Sequence, residues 1–172
     1  MRHSIFALAL ALSACNAPAP QATTEAPQEA AVEHTAPAGA YTLDKPHASL
    51  VIRVSHINYS NFTARFTDWD ATLNLDPAAP ENSSITATID PRSIASDNAP
   101  PGFTEVMRND FLQARTYPEI TFRSTRVERT GPNTALITGD LTLLGVTKPV
   151  TLEARFNGGY AGMPVYDPNA RV

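Results

Sequence analysis

The sequence predicts an all-β fold, a single domain of antiparallel up-and-down strands with one short helical segment. Apolar and polar residues alternate with a period of two in successive runs beyond residue 41, as in strands that have one buried face. Turn residues separate these runs at short intervals, which favours an antiparallel meander over a parallel sheet with crossover helices. About six long strands can be counted, whereas a small closed barrel usually needs about eight.

Composition and charge limit the classes of function. The 172 residues suffice for one ordinary domain, and 42% of them are hydrophobic, which is typical of a globular chain. The formal net charge is -4, and the 13 Lys and Arg residues are scattered rather than clustered. A nucleic-acid partner is therefore excluded, because such binding requires a concentrated basic surface.

The N-terminus resembles a bacterial export signal. Residues 5–12 form an apolar run of the length found in signal peptides, too short to span a bilayer. The only cysteine follows, and Leu12-Ser13-Ala14-Cys15 resembles the lipobox of lipoproteins. We therefore expect residues 1–15 to be a lipoprotein signal with Cys15 as the lipidation site; the alternative is an ordinary signal peptide cut nearby. Asn16 in place of Asp favours a periplasmic protein anchored in the outer membrane.

Residues 16–40 are expected to form a disordered tether between the membrane and the domain. They contain Ala, Pro, Thr, Gln and Glu, with Val32 the only large aliphatic residue and no aromatic residue. Such a stretch cannot bury enough apolar surface to offset the entropy of ordering it. The folded domain is expected over residues 41–172.

Five runs place apolar residues on one face of a predicted strand. The residues on the apolar face of each run are Leu50, Ile52, Val54 and His56; Ile85, Ala87 and Ile89; Ile120 and Phe122; Ile137, Gly139, Leu141 and Leu143; and Val150, Leu152, Ala154 and Phe156. The stretch Asn61–Asp76 is long for a strand, and its apolar parity changes between Phe66 and Trp69. That change predicts a bulge or bend near residues 67–68.

One segment, 102–113, suggests a helix. Its apolar residues Phe103, Val106, Met107 and Phe111 recur at three- and four-residue spacings after a Pro-Pro break. We expect a short cap over an opening of the barrel, or a packed loop.

Six stretches of the domain carry motifs of a known family. They are 41–56, 66–76, 89–94, 110–112, 117–124 and 139–150. The strongest similarity lies in the last stretch, which reads GDLTLLGVTKPV. In this order they resemble the YceI-like family of bacterial polyisoprenoid-binding, lipocalin-like proteins, over nearly all of residues 41–162.

The sequence departs from the family pattern at three points. Ile52 stands where the family commonly has Phe, and Glu105-Val106 replaces a His-Leu pair, so no role can be carried over for that histidine. The chain also ends at Val172, where the resemblance implies about two further strands. The domain is thus expected to be truncated at its C-terminus, with its last strands missing.

The resemblance implies that the strands form an antiparallel up-and-down, lipocalin-like β-barrel. It also implies non-catalytic binding, transport or sequestration of an isoprenoid lipid, of quinone or polyprenyl phosphate type, inside that barrel. The apolar lining is expected from Ile52, Val54, Phe66, Ile85, Ile89, Phe111, Phe122, Leu141 and Leu152. The small inward residues Ala87, Gly139 and Ala154 are expected to leave space for the ligand. The alternative is a dry, packed core built from the same residues.

The residues themselves offer little chemistry. His47 and His56 are nine apart and of opposite parity, which makes them a poor metal pair, and no metal site is expected. His56 has the apolar parity and is either a satisfied histidine at the barrel mouth or a polar contact for a head group. No nucleophile elbow, phosphate loop or dinucleotide fingerprint is present, so no catalytic residue and no cofactor is assigned.

Three functions remain after this search. The leading one is the isoprenoid carrier, attached to the membrane through acylated Cys15. The alternative is an envelope interaction or stress protein that has a filled barrel and acts through its surface. An enzyme acting on a bound lipid comes third, because no nucleophile with an oriented base can be identified. The oligomeric state stays open, with a dimer among the options.

Overall fold

The computed structural model describes residues 36–159, which form antiparallel strands and one short helical segment and so confirm the predicted all-β class. The strands are β1 (Gly39–Thr42), β2 (Leu50–His56), β3 (Ser60–Phe66), β4 (Trp69–Leu75), β5 (Ser84–Ile89), β6 (Ile94–Ala95), β7 (Ile120–Arg129), β8 (Thr134–Leu143) and β9 (Val146–Arg155). Helix α1 (Phe103–Val106) continues into a π-helical turn at Met107–Phe111. Short 3-10 turns lie at Lys45–His47, Pro80–Asn82 and Pro91–Ser93.

Three pairs of strands are halves of longer strands that bend at one corner. β1 leads into β2, β3 into β4 and β5 into β6, with residues 43–49, 67–68 and 90–93 between the halves. Hydrogen bonds cross this corner from Thr67 N to Ser93 O at 3.2 Å and from Asp90 N to Asp68 O at 3.0 Å. The bend predicted from the parity change is thereby confirmed.

The order of the strands gives one bent sheet. A six-stranded part runs β1-β4-β5-β7-β8-β9, and a three-stranded part runs β2-β3-β6 on the other side of the corner. Counting each bent pair once gives six long strands, as the sequence predicts. Within residues 36–159 the sheet does not close, and β9 at one side and β1 with β2 at the other have free edges.

The two faces of the six-stranded part differ in composition. On the outer face threonines lie opposite one another, and their hydroxyls approach to 2.7 Å between Thr72 and Thr86 and to 2.8 Å between Thr142 and Thr147. The inner face carries the apolar residues of the same strands. This division follows from the period of two that the sequence shows.

The core lies at the corner, beneath the helical segment. Its buried cluster consists of Ala64, Phe66, Ile89, Ile94, Met107 and Ile120. Phe103 of α1 stacks edge-on against Phe62 of β3, with ring centroids 5.4 Å apart. The segment is thus a cap packed on the inner face of β2 and β3, which confirms the predicted helical element.

The interior at Gly139 differs from the expectation. A Cβ at this position would lie 2.5 Å from the Phe122 ring and 2.5 Å from the Arg123 carbonyl oxygen. The glycine therefore makes room for an aromatic ring on the neighbouring strand and leaves no space for a ligand. The prediction of an open interior at this position was wrong. Alternation shows which face of the sheet a residue occupies, but not whether a neighbouring side chain fills the space beside it.

Several predictions fall outside the described residues. The signal segment 1–15, its Cys15 and the tether up to residue 35 lie there, as does the stretch 160–172 at the other end. Residues 36–40, which the tether prediction includes, are described: Ala36 is buried and β1 begins at Gly39.

Candidate functional site: an apolar cavity on the inner face

A cavity of about 230 Å³ opens on the inner face of the six-stranded sheet, at the end of the strands away from the corner. Its wall is largely apolar. The apolar lining residues are Leu73, Leu75, Pro77, Pro80, Ile85, Val127, Pro132, Ala135, Ile137, Ala154 and Phe156. They come from β4, β5, β7, β8 and β9 and from the turns that follow β4, β7 and β9.

Strand register explains why these residues meet. Leu73 lies opposite Ile85, and Ala135 lies opposite Ala154, so each pair shares the inner face. Two alanines facing each other across neighbouring strands remove side-chain volume at one point. That pair accounts for much of the free space, since larger residues would fill it.

A bulge in β7 brings a further residue into the wall. The register with β8 shifts between Ser124 and Arg126, which leaves one extra residue in β7. Even-numbered residues face inward before the bulge, and odd-numbered ones such as Val127 face inward after it. Without the extra residue, Arg126 and Glu128, which form an ion pair, would point into the cavity.

The polar side chains of the wall are already hydrogen-bonded to the protein. Arg129 donates to the carbonyl oxygens of Gly131 at 3.0 Å and Pro132 at 3.1 Å. Ser83 Oγ accepts from the backbone N–H of Asp76 at 2.9 Å. The others are Ser84, Asn133, Thr134 and Arg155, and each of these also has a partner. The cavity therefore offers a ligand an apolar surface, because the polar residues of its wall already have partners within the protein.

One end of the cavity is held in place by Asn133. This residue is 3% exposed, and its carbonyl oxygen accepts a hydrogen bond from Phe156 N at 2.8 Å. The bond ties the segment that follows β9 to the turn between β7 and β8. Phe156 is thereby kept in the wall although it lies beyond the last paired residue of its strand.

The nine predicted lining residues occupy three different environments. Only one of them, Ile85, lines this cavity. Five are buried or half-buried in the packed interior: Ile52, Phe66, Ile89, Phe122 and Leu141. Three are among the exposed large hydrophobic residues: Val54, Phe111 and Leu152.

The two histidines of the domain lie apart from the cavity. His56 is exposed at the end of β2, opposite Ser60. His47 is exposed in a 3-10 turn, and its Nδ1 lies 2.6 Å from Asp44 Oδ2. Neither lines the cavity, so a head-group role for His56 would require a ligand that extends to the tip of the β2–β3 hairpin.

Some of the lining residues that sequence reasoning missed could have been found from the sequence, and others could not. Leu73 and Leu75 alternate with polar residues in the second half of the bent strand, so parity alone could have found them. Val127 could not have been found in this way, because the bulge reverses the parity of β7.

Among the described residues, the marked electrostatic feature is the pair of Asp90 and Arg92, which serves the fold. The pKa of Asp90 lies below its ordinary value of 3.8, chiefly because the Arg92 side chain donates hydrogen bonds to it, while partial burial opposes the shift. The carboxylate also accepts from Arg92 N at 2.8 Å and so caps the 3-10 turn at the corner. Among residues 36–159 there is no cluster of three or more His, Cys, Asp or Glu side chains arranged to hold a metal ion. Nor does the described part contain a helix long and apolar enough to cross a membrane.

Comparison with known proteins identifies the family. Residues 41–170 match the YceI-like domain. This chain belongs to the YceI-like family. UPF0312 proteins of Pseudomonas savastanoi pv. phaseolicola and Pseudomonas putida are 42% identical to it over 120 residues and 43% identical over 123 residues. The matches cover 69% and 70% of this YceI-like chain but 62% and 64% of the relatives, so it spans less than two thirds of their length.

Solved structures agree with the fold of this YceI-like protein. Burkholderia cenocepacia BcnA is 31% identical, with a TM-score of 0.55 over 61% of this chain and 65% of that chain. A Campylobacter jejuni YceI protein is 30% identical, with a TM-score of 0.56 over 74% of each chain. These similarities confirm the expected lipocalin-like barrel fold.

Proposed function

We propose that this YceI-like protein binds a slender apolar lipid chain, of the isoprenoid class, without catalysing a reaction on it. The observation that carries the proposal is the cavity, whose wall is apolar and whose polar side chains are all engaged within the protein. Such a site recognises a hydrocarbon chain by removing it from water rather than by directional contacts. The resemblance to the polyisoprenoid-binding, lipocalin-like family supports the choice of isoprenoid.

The size of the cavity sets how much of a lipid it holds. Its volume of about 230 Å³ is below the ~300–1,000 Å³ of pockets that enclose a drug-sized ligand. We therefore expect one segment of a longer chain to lie there while the rest extends along the inner face. Each Å² of apolar surface removed from water contributes about 25 cal/mol, before the cost of ordering the chain is subtracted.

The proposed setting is the periplasm. An export signal at residues 1–15 and acylation at Cys15 would place the domain on a tether beside the outer membrane, within reach of lipids. Labelling of cells with a radioactive fatty acid tests this part alone: Cys15→Ser should abolish incorporation, and unchanged incorporation would contradict it.

Native mass spectrometry of the chain purified from bacterial envelope tests the cargo. We expect a bound species with the mass of a quinone or a polyprenyl phosphate. A bare polypeptide mass that stays unchanged after exposure to both lipids would contradict the proposal. It would favour instead an interaction protein that acts through its surface, a candidate supported by the packed interior at Gly139.

A matched pair of variants locates the bound chain. Ala154→Leu adds a branched side chain inside the cavity, whereas Ala40→Leu makes the same change on the outer face of β1, where Ala40 is exposed. We expect Ala154→Leu to weaken lipid binding at least about tenfold, the equivalent of about 1.4 kcal/mol, because the ligand would have to share its space. Equal lipid affinity in the two variants would show that the ligand lies elsewhere.

A further inference from the structure

The hairpin of β2 and β3 ends in an apolar tip that projects from the protein. Ile57 is 70% exposed and Tyr59 is 91% exposed in the turn, and Val54 on the adjoining strand is 55% exposed. The same strands are half-buried or buried nearer the corner, where Ile52 and Ala64 pack into the core. The exposure of the large hydrophobic side chains thus rises along the hairpin toward the turn.

The backbone of the turn holds Ile57 in an unusual conformation. Its φ is 55° and that of Asn58 is 59°, so both lie in the left-handed region. A turn whose two central residues are both left-handed favours Asn, Asp and Gly, and a β-branched residue there is strained. The turn is nevertheless well defined, since Tyr59 N donates to His56 O at 3.1 Å and Ser55 Oγ donates to Asn58 Oδ1 at 3.2 Å.

We propose that this tip docks on a lipid bilayer, with Ile57 and Tyr59 entering the interface. Tyrosine combines an apolar ring with a polar hydroxyl and is enriched where membranes meet water. An isoleucine beside it supplies aliphatic surface that gains from leaving water. A strained residue at an exposed tip is the kind of local feature that accompanies binding surfaces.

The charge of the hairpin fits an anionic lipid surface. Residues 50–66 contain Arg53 and Arg65 but no Asp or Glu, in a chain whose formal net charge is -4. Arg65 pairs with Asp97 at 3.1 Å near the corner, whereas Arg53 is exposed between the corner and the tip. Anionic head groups would therefore attract this end of the protein more than its acidic remainder.

A second copy of the chain is a weaker candidate for the occupant. The tip presents three large apolar side chains, which together offer a few hundred Å² at most. A stable protein interface buries about 800 Å² per partner. A bilayer imposes no such minimum, because a few side chains at one turn can insert among its head groups.

The inference deepens the proposed function and rests on it in one respect only: a carrier of membrane lipids has to reach a bilayer to exchange them. Contacts continue inward from the tip, since Phe62, opposite Val54, stacks on Phe103, and Phe103 lies 6.1 Å from Phe111. Phe111 is itself 59% exposed. Docking is tested below on vesicles free of isoprenoid, so its failure is distinct from failure of cargo binding.

A fluorescent label on the tip measures insertion directly. In the full chain carrying Cys15→Ser, a single cysteine from Ile57→Cys takes an environment-sensitive dye. The control places the cysteine by Asn82→Cys, in an exposed turn beyond β4, on the other side of the corner. Vesicles contain phosphatidylethanolamine, phosphatidylglycerol and a lipid that has a quencher on its acyl chain. Attachment of the chain to the vesicles through its apolar residues 5–12 does not affect the comparison, because quenching is measured separately for the label at residue 57 and the label at residue 82.

We expect strong quenching of the label at residue 57 and little at residue 82. Equal quenching at both positions, or none at residue 57, would overturn the proposal. A change in the emission of the tip label with protein concentration alone, without vesicles, would overturn it as well and assign the tip to self-association.

A substitution separates docking from folding. With the label introduced by Tyr59→Cys, adding Ile57→Asn should weaken the inserted state about tenfold or more while raising the urea midpoint, because Asn tolerates a positive φ. Leu144→Asn is the matched control, since Leu144 also has a positive φ, 53°, in a hairpin turn but is half-buried. It should leave quenching unchanged. Retained quenching in the Ile57→Asn variant would refute the role of the tip.

Discussion

Replacing Gly139 with alanine should lower the free energy of unfolding by an amount that follows from the contacts around this residue. The added Cβ would lie 2.5 Å from the Phe122 ring and 2.5 Å from the Arg123 carbonyl oxygen, about 1 Å inside normal contact. The carbonyl belongs to a paired strand, and Phe122 is 6% exposed, so neither can move freely. Overpacking of this kind costs about 1–3 kcal/mol, and the lower entropy of the unfolded chain offsets about 0.4–1 kcal/mol of it. We therefore expect a net loss of about 1–2 kcal/mol.

Urea unfolding followed by circular dichroism measures this loss. With a slope of about 2 kcal/mol per M, the midpoint should fall by about 0.5–1 M. Gly131→Ala is the control, because its Cβ would meet the Thr134 hydroxyl at 2.7 Å, a side-chain group that can move at the cost of its hydrogen bond with Thr130. Adding Phe122→Leu to Gly139→Ala should cost less than Phe122→Leu costs alone, since the smaller side chain relieves part of the overlap. A wild-type midpoint for Gly139→Ala, or fully additive losses, would refute the packing we describe.

Two further predictions concern the corner and its cap. Asp90→Ala should lower the free energy of unfolding by about 1 kcal/mol through loss of the turn cap. Because Arg92 holds the pKa of Asp90 below 3.8 in the folded state, this contribution is complete above about pH 4 and is lost as the pH falls through the folded pKa. The wild-type midpoint should thus fall more steeply below about pH 4 than that of the variant, and parallel pH profiles would contradict the assignment. Phe103→Ala should cost about 2–3 kcal/mol by removing the contact with Phe62, whereas Phe111→Ala, at an exposed position, should cost less than about 1 kcal/mol. Equal thermal shifts would show that the cap is not packed through Phe103.

The sequence was sufficient to predict the fold because strand periodicity is a local signal. Alternation at period two marks each strand and its apolar face, and it does not depend on which strand lies next to it. The parity change between Phe66 and Trp69 is likewise local, so the corner could be placed before its hydrogen bonds were known. Short connections then favoured an antiparallel meander, and the family resemblance implied a barrel, neither of which follows from periodicity alone.

The cavity was harder to predict because it depends on position along the strands. Ile89 and Ile85 share one face of β5, yet Ile89 is buried in the core at the corner and Ile85 lines the cavity four residues away. Alternation places both residues inside without distinguishing the two ends. The bulge near Thr125 adds a second obstacle, because a single extra residue exchanges the inward and outward positions of β7 and conceals Val127.

The contrast between two parts of the interior bears on function. In the middle of β8, the space beside Gly139 is filled by the Phe122 ring, whereas at the end of the strands away from the corner Ala135 and Ala154 lie opposite each other in the wall of an open volume of about 230 Å³. Because this volume is open to solvent, its apolar wall faces water and lacks packing partners on that side. An apolar chain bound there, as we propose, would supply those contacts and stabilise the folded state in proportion to its affinity.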